Sequence, residues 1–188
     1  MGNKNGGIMI KENAFESSIT NLKAFTSARD AITHLEKALE LHPTDHRTWS
    51  ELASIYYCLR DNVNAISCLN QAIDLSAGTA PARYYKLKGM AYLDDQIYRL
   101  ALSAFDKALE IEPKDADTLV KRGDAFYYLS QWMNAAHSYS AALEIDPNHP
   151  TAFETFRYWD YHQALEATKR SYDEIFEAIK LWSKYANE

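Results

Sequence analysis

The sequence predicts an all-α fold, a solenoid of antiparallel helix pairs, and three observations carry that prediction. Landmark residues recur at a spacing of 34: Gly89 and Gly123, Ala101 and Ala135, Ala108 and Ala142, Pro113 and Pro147. A fixed period of this length marks a repeat array, in which each helix pair buries its apolar face against its neighbours. The prolines close each block, where they cannot continue a helix and turn the chain into the next one. The composition agrees: over 188 residues, 47% hydrophobic and 24% charged describe a folded chain, not a disordered one.

Taken in order, residues 1–11 are expected to be disordered, with three of the six glycines in the first seven positions. Gly2 follows Met1, but Gly6 stands where a myristoylation motif requires Ser or Thr. The first block, 12–45, keeps the second half of the pattern in Ala31, Leu35, Ala38, Leu39 and Pro43, with Ile19 in the slot of a small residue. The second, 46–81, carries Trp49, Leu52, Ala53, Tyr56, Ala65, Leu69, Ala72 and Ile73, and is two residues longer through Ser76–Ala80. In the third, 82–115, the slots hold Tyr85, Gly89, Tyr92, Ala101, Phe105 and Ala108. The fourth, 116–149, has Gly123, Ala135, Tyr139, Ala142, Leu143 and Pro147.

A mid-helix glycine costs about 1 kcal/mol relative to alanine. Gly89 and Gly123 are therefore read as sites of close helix approach, with Phe105 and Tyr139 filling the larger gap between small residues. Asp115 precedes a new helix as an N-cap, and Pro150 suits a first helical turn. The last segment, 150–188, loses the alanine ladder but keeps helically spaced apolar residues such as Phe153, Phe156, Ile175, Ile179 and Trp182. Its default role is a capping helix or helical hairpin over the exposed end of the array.

These landmarks resemble the tetratricopeptide repeat, over roughly residues 12–149. The resemblance implies a right-handed superhelix of paired helices whose first helices line a concave groove. It implies a protein–protein interaction module or scaffold that holds a partner peptide or helix in that groove, without catalysis and without a cofactor. On this register the groove stripes include Arg47, Ser50, Ser54 and Tyr57; then Arg83, Lys86, Met90 and Leu93; then Asp117, Val120, Asp124 and Tyr127, with Tyr128 beside it. Arg47, Arg83 and Lys86 form a basic cluster in a chain of net charge −6 and would engage acidic groups. Tyr57, Tyr127 and Tyr128 would pack on apolar ones, as rigid aromatic anchors do. Neither Arg83 nor Lys86 falls on a packing slot of the pattern.

Other readings are narrowed by the same residues. In no register does the chain present the lysine–asparagine–asparagine–lysine–arginine clamp with which co-chaperones of this family grip chaperone C-terminal tails. Motifs for metalloprotease, phosphate-loop, nucleophile-elbow and dinucleotide chemistry are missing, so neither an enzyme nor a metal site is expected. The net charge opposes nucleic acid, and no apolar run reaches the ~18 residues needed to cross a membrane. Cys58 and Cys68 fall on different helices of one pair and read as free thiols, which points to the cytoplasm. The alternative function is a self-associating assembly subunit that uses the aromatic C-terminal segment.

Overall fold

The computed structural model describes residues 27–152 as helices joined by short turns. The expectations for the N-terminus, the first half-block and the C-terminal cap fall on residues 1–26 and 153–188, outside the described residues. The helices are α1 (27–41), α2 (His46–Cys58), α3 (Asn62–Leu75), α4 (Ala82–Asp94), α5 (Tyr98–Ile111), α6 (Ala116–Tyr128) and α7 (Trp132–Ile145), with helix resuming at 150. They pack as the pairs α2–α3, α4–α5 and α6–α7, and α5 also lies against α6. The chain divides into two compact units between Leu75 and Ser76, so that α1–α3 belong to the first and α4–α7 to the second.

The small-residue ladder forms the core. Ala53, Ala65 and Ala72 in the first unit, and Ala101, Ala135 and Ala142 in the second, are wholly buried. The glycines do what their cost requires. A Cβ on Gly89 would come within 2.5 Å of the Phe105 ring, and one on Gly123 within 2.5 Å of the Tyr139 ring. Both rings are buried, at 0% and 1% exposure, so neither can swing aside without emptying its site.

Turns of two kinds alternate. Between pairs, His42–Asp45, Glu112–Asp115 and Asp146–His149 each carry proline second and close with an amide donating back three residues, at 3.2, 3.4 and 3.1 Å. The last residue of each turn then begins the next helix. Asp45 accepts the Arg47 amide and the Thr48 hydroxyl, and Asp115 accepts the Thr118 amide and the Thr118 hydroxyl. These caps satisfy amides that a helix start leaves without partners.

Within pairs, the first helix ends in a left-handed residue at Arg60, Gln96 and Ser130, with φ of 63°, 62° and 59°. At each, the next amide donates back five residues: Asp61 to Tyr56, Ile97 to Tyr92 and Gln131 to Phe126, at 2.9, 2.8 and 2.9 Å. These are Schellman closures built on residues other than glycine. The longer link Ser76–Pro81 follows neither pattern; it turns through Ala77 and Gly78, at φ of 50° and 84°.

Candidate partner-binding face

Helices α4 and α6 lie side by side in the second unit and present the residues expected to face a partner. Arg83 is exposed on the first turn of α4, its guanidinium 5.3 Å from the centre of the buried Tyr84 ring. Lys86, one turn on, is occupied within the fold. Its ammonium donates to both carboxylate oxygens of Asp115, at 3.1 and 2.9 Å, and to Asp117 at 3.3 Å. Lys86 thus ties α4 to the start of α6, and two carboxylates of the fold balance its charge. Arg47 and Tyr57 sit on α2 in the first unit, Arg47 exposed and Tyr57 half-buried.

Two stripe positions face inward instead. Ser50 and Val120 are 8% and 1% exposed. The register placed them on the open face, but both are buried, Val120 in the cluster with Ala135, Ala136 and Tyr139. Asp124 is also engaged, accepting the Tyr139 hydroxyl at 2.9 Å and Lys121 at 3.2 Å.

The carboxylates respond to these partners. Burial pushes the Asp115 carboxyl upward, but the Thr118 hydroxyl and Lys86 outweigh it and leave the group below its usual range. The His149 hydrogen bond holds Asp117 below its usual range, against partial burial. His149 Nε2 lies 2.9 Å from Asp117, while its Nδ1 accepts the Ala152 amide at 3.2 Å. Since Nδ1 accepts, the ring proton sits on Nε2 and donates to Asp117. His149 thus caps the helix that starts at Pro150 and fastens it to α6. The sequence signal was present: His149 occupies the cap slot 34 residues after Asp115.

At the other end of α6, Tyr127 and Tyr128 are exposed, at 39% and 58%. Tyr128 stacks on Tyr98 of α5, with centroids 4.9 Å apart and planes 12° apart. Tyr127 meets Tyr128 edge-on at 5.7 Å and Trp132 of α7 edge-on at 5.1 Å. Tyr98 and Trp132 were not singled out by the groove stripe, because they belong to second helices. Trp132 joins because the turn at 129–131 brings the start of α7 beside the end of α6, and Tyr98 because α5 packs against α6.

Among the described residues there is no group of three metal-ligating side chains and no helix long and apolar enough to cross a membrane. Cys58 is exposed and Cys68 buried, both as free thiols, and burial pushes the Cys68 thiol up to about 11.

Comparison with known proteins places this geometry. The tetratricopeptide repeat model matches residues 46–79 and 82–115. The chain is 30% identical over 96 residues to serine/threonine-protein phosphatase 5 of Mus musculus, covering 51% of this chain and 19% of that protein. It is 24% identical over 170 residues to anaphase-promoting complex subunit 3 of Schizosaccharomyces pombe, covering 82% of this chain and 25% of that protein. The chain therefore spans about a fifth to a quarter of the length of these curated relatives. Among solved structures, MamA superposes with a TM-score of 0.72 at 21% identity, covering 88% of this chain and 90% of that one. The first tetratricopeptide domain of Spaghetti (RPAP3), bound to an HSP90 peptide, superposes at 0.59 with 21% identity, covering 64% of this chain and 93% of that one. These structural likenesses establish the fold.

Proposed function

Since this is a tetratricopeptide-repeat chain, and so a protein–protein interaction module, we propose that its second unit holds a partner peptide or helix along α4 and α6. Arg83 receives a carboxylate of the partner, while Tyr127 and Tyr128 pack on its apolar groups. Arg47 and Tyr57 offer the same pairing of chemistries on α2 of the first unit. The observation that carries this reading is the exposure of Tyr127 and Tyr128 at the end of a helix that buries Leu119 and Val120 and half-buries Phe126. Large aromatic area left open to water, with an exposed arginine on the neighbouring helix, combines the residue types enriched in binding hot spots.

Because Lys86 is balanced by Asp115 and Asp117, Arg83 is the residue that tests the electrostatic half. Partners captured from a lysate by the intact chain are identified and their affinities measured at two salt concentrations. Arg83→Glu is expected to abolish capture of a partner with acidic groups and to remove the salt dependence, since exposed charges are screened beyond ~8–10 Å. Tyr127→Ala is expected to weaken the same partner at both salt concentrations alike. A partner that binds the Arg83→Glu protein undiminished would remove the α4–α6 face from consideration. The reading includes no chaperone-tail clamp, for which the slots hold the wrong residues, and no catalysis, cofactor, nucleic acid or membrane contact.

A further inference from the structure

We propose that the outward face of α5 is a self-association surface, on which a second copy of this chain lays the same face antiparallel to form a two-fold dimer. The proposal is independent of the partner-binding reading above, which lies on α4 and α6. Helix α5 turns Ala101, Phe105 and Ala108 into the core. Its opposite face carries Leu100, Ser103, Lys107 and Ile111, which follow one another at three- and four-residue steps and so share one stripe. Leu100 and Ile111 are each 48% exposed, and Ile97 flanks them at 43%. The repeat does not require apolar residues there: 34 residues on, the slots of Ile97 and Leu100 hold Gln131 and Asn134.

The occupant follows from the symmetry of the face. Among the described residues, Lys107 is paired with Glu110 at 2.7 Å and Asp106 with Arg122 at 3.6 Å, whereas Arg99 and Glu112 are exposed and in no ion pair. Arg99 and Glu112 lie equally far to either side of a point midway between residues 105 and 106, and so do Leu100 and Ile111. An antiparallel copy related by a two-fold axis at that level therefore sets Leu100 opposite the second copy's Ile111 and Arg99 opposite its Glu112. Each pairing is made twice, as an isologous contact requires. Ser103 is small enough at the centre to let the helices approach, and Lys107 lays its aliphatic stem across while its ammonium stays with Glu110. A foreign helix would need no such balance of like apolar and opposite charged groups about one point. With 14 residues, α5 offers a length of only ~21 Å, so the dimer is a reversible one.

The test is sedimentation equilibrium of the full chain over an about hundredfold range of concentration, because mass action sets the dimer fraction. A mass rising from monomer towards dimer is expected. Leu100→Glu should raise the dissociation constant at least about tenfold, since one substitution acts at two places in a symmetric contact. Arg99→Glu should weaken the dimer in the same direction, and Arg99→Glu combined with Glu112→Arg should restore it, because the exchanged charges still attract. Both sites are exposed, so neither change is expected to unfold the chain, which circular dichroism verifies. A monomer at every concentration overturns the proposal, as does a dimer indifferent to Leu100→Glu or one that the charge exchange leaves weakened. A mass that grows past the dimer overturns it too, since an isologous contact closes at two copies. Leu100→Glu should leave capture at the α4–α6 face unchanged and Arg83→Glu should leave the dimer unchanged, so the two readings fail separately.

Discussion

Gly89 and Gly123 show how one missing carbon is matched by a neighbour. Where the first-helix slot holds glycine, the opposing slot holds Phe105 or Tyr139; in the second repeat the same two slots hold Ala53 and Leu69. The chain thus contains its own compensated pair. Gly89→Ala is expected to destabilise the fold by about 1–3 kcal/mol through overpacking against Phe105, although helix propensity alone would favour alanine by about 1 kcal/mol. Adding Phe105→Leu should recover most of the loss, and a double-mutant cycle in urea measures the coupling. A stabilised single variant would show that the ring moves freely. The carboxylates Asp45, Asp115 and Asp117 sit below their ordinary range; at Asp45 the Thr48 hydroxyl is the leading cause. A carboxyl depressed on folding adds stability that is fully present above the unfolded value, about 4, and lost as pH falls through the folded value. Asp115→Ala, which removes a cap and one partner of Lys86, should cost about 1–2 kcal/mol at pH 7, and a smaller difference should remain in acid denaturation below pH 4.

At the scale of elements, the turns carry distinct chemistry. Proline and an Asp or His cap set the turns between pairs, and the cap slot accepts histidine because the acceptor required is one lone pair, which Nδ1 of His149 provides. The turns within pairs place Arg60, Gln96 and Ser130 in a left-handed conformation. That conformation costs a residue with a Cβ roughly 1–2 kcal/mol, while glycine avoids the clash and loses about 0.5–1 kcal/mol in chain entropy. Gln96→Gly is therefore expected to raise stability by several tenths to about 1 kcal/mol, a melting shift of roughly 1–4 °C, with Gln96→Ala nearly neutral. Differential scanning calorimetry decides it. A fall in melting temperature for Gln96→Gly would mean that the glutamine side chain contributes more than its backbone geometry costs.

For the whole molecule, the break in the repeat period coincides with the division into two compact units. Ala77, Gly78 and Thr79 are exposed in the link, and it lacks the proline-and-cap closure of the other turns between pairs. Exposed turns with small residues are preferred sites of proteolytic nicking. Among the described residues, limited digestion with a protease of broad specificity should cut first at 77–79, before the turns at 112–115 and 146–149. Mass spectrometry of the earliest fragments checks this; first cleavage at either capped turn would contradict it.

The sequence by itself determined the repeat: the spacing of 34, the slots for glycine, alanine and aromatic residues, the Asp115 cap and the positions where helices stop. All of these are local or periodic demands, written in residues that have few substitutes at a helix contact or a helix end. The candidate face was only half legible. Arg83, Tyr127 and Tyr128 stand open as their register implies, but a register records which side of a helix a residue occupies and not what reaches it from the next repeat. Lys86 meets Asp115 and Asp117 from 29 and 31 residues away, and His149 meets Asp117 from 32. Trp132 joins Tyr127 because a turn brings the start of α7 beside the end of α6, and Tyr98 joins Tyr128 because α5 packs against α6. Ion pairing and ring stacking between side chains distant in sequence depend on where folded backbones put their ends. Only the tertiary structure decided which charges are balanced and which aromatic faces stay open.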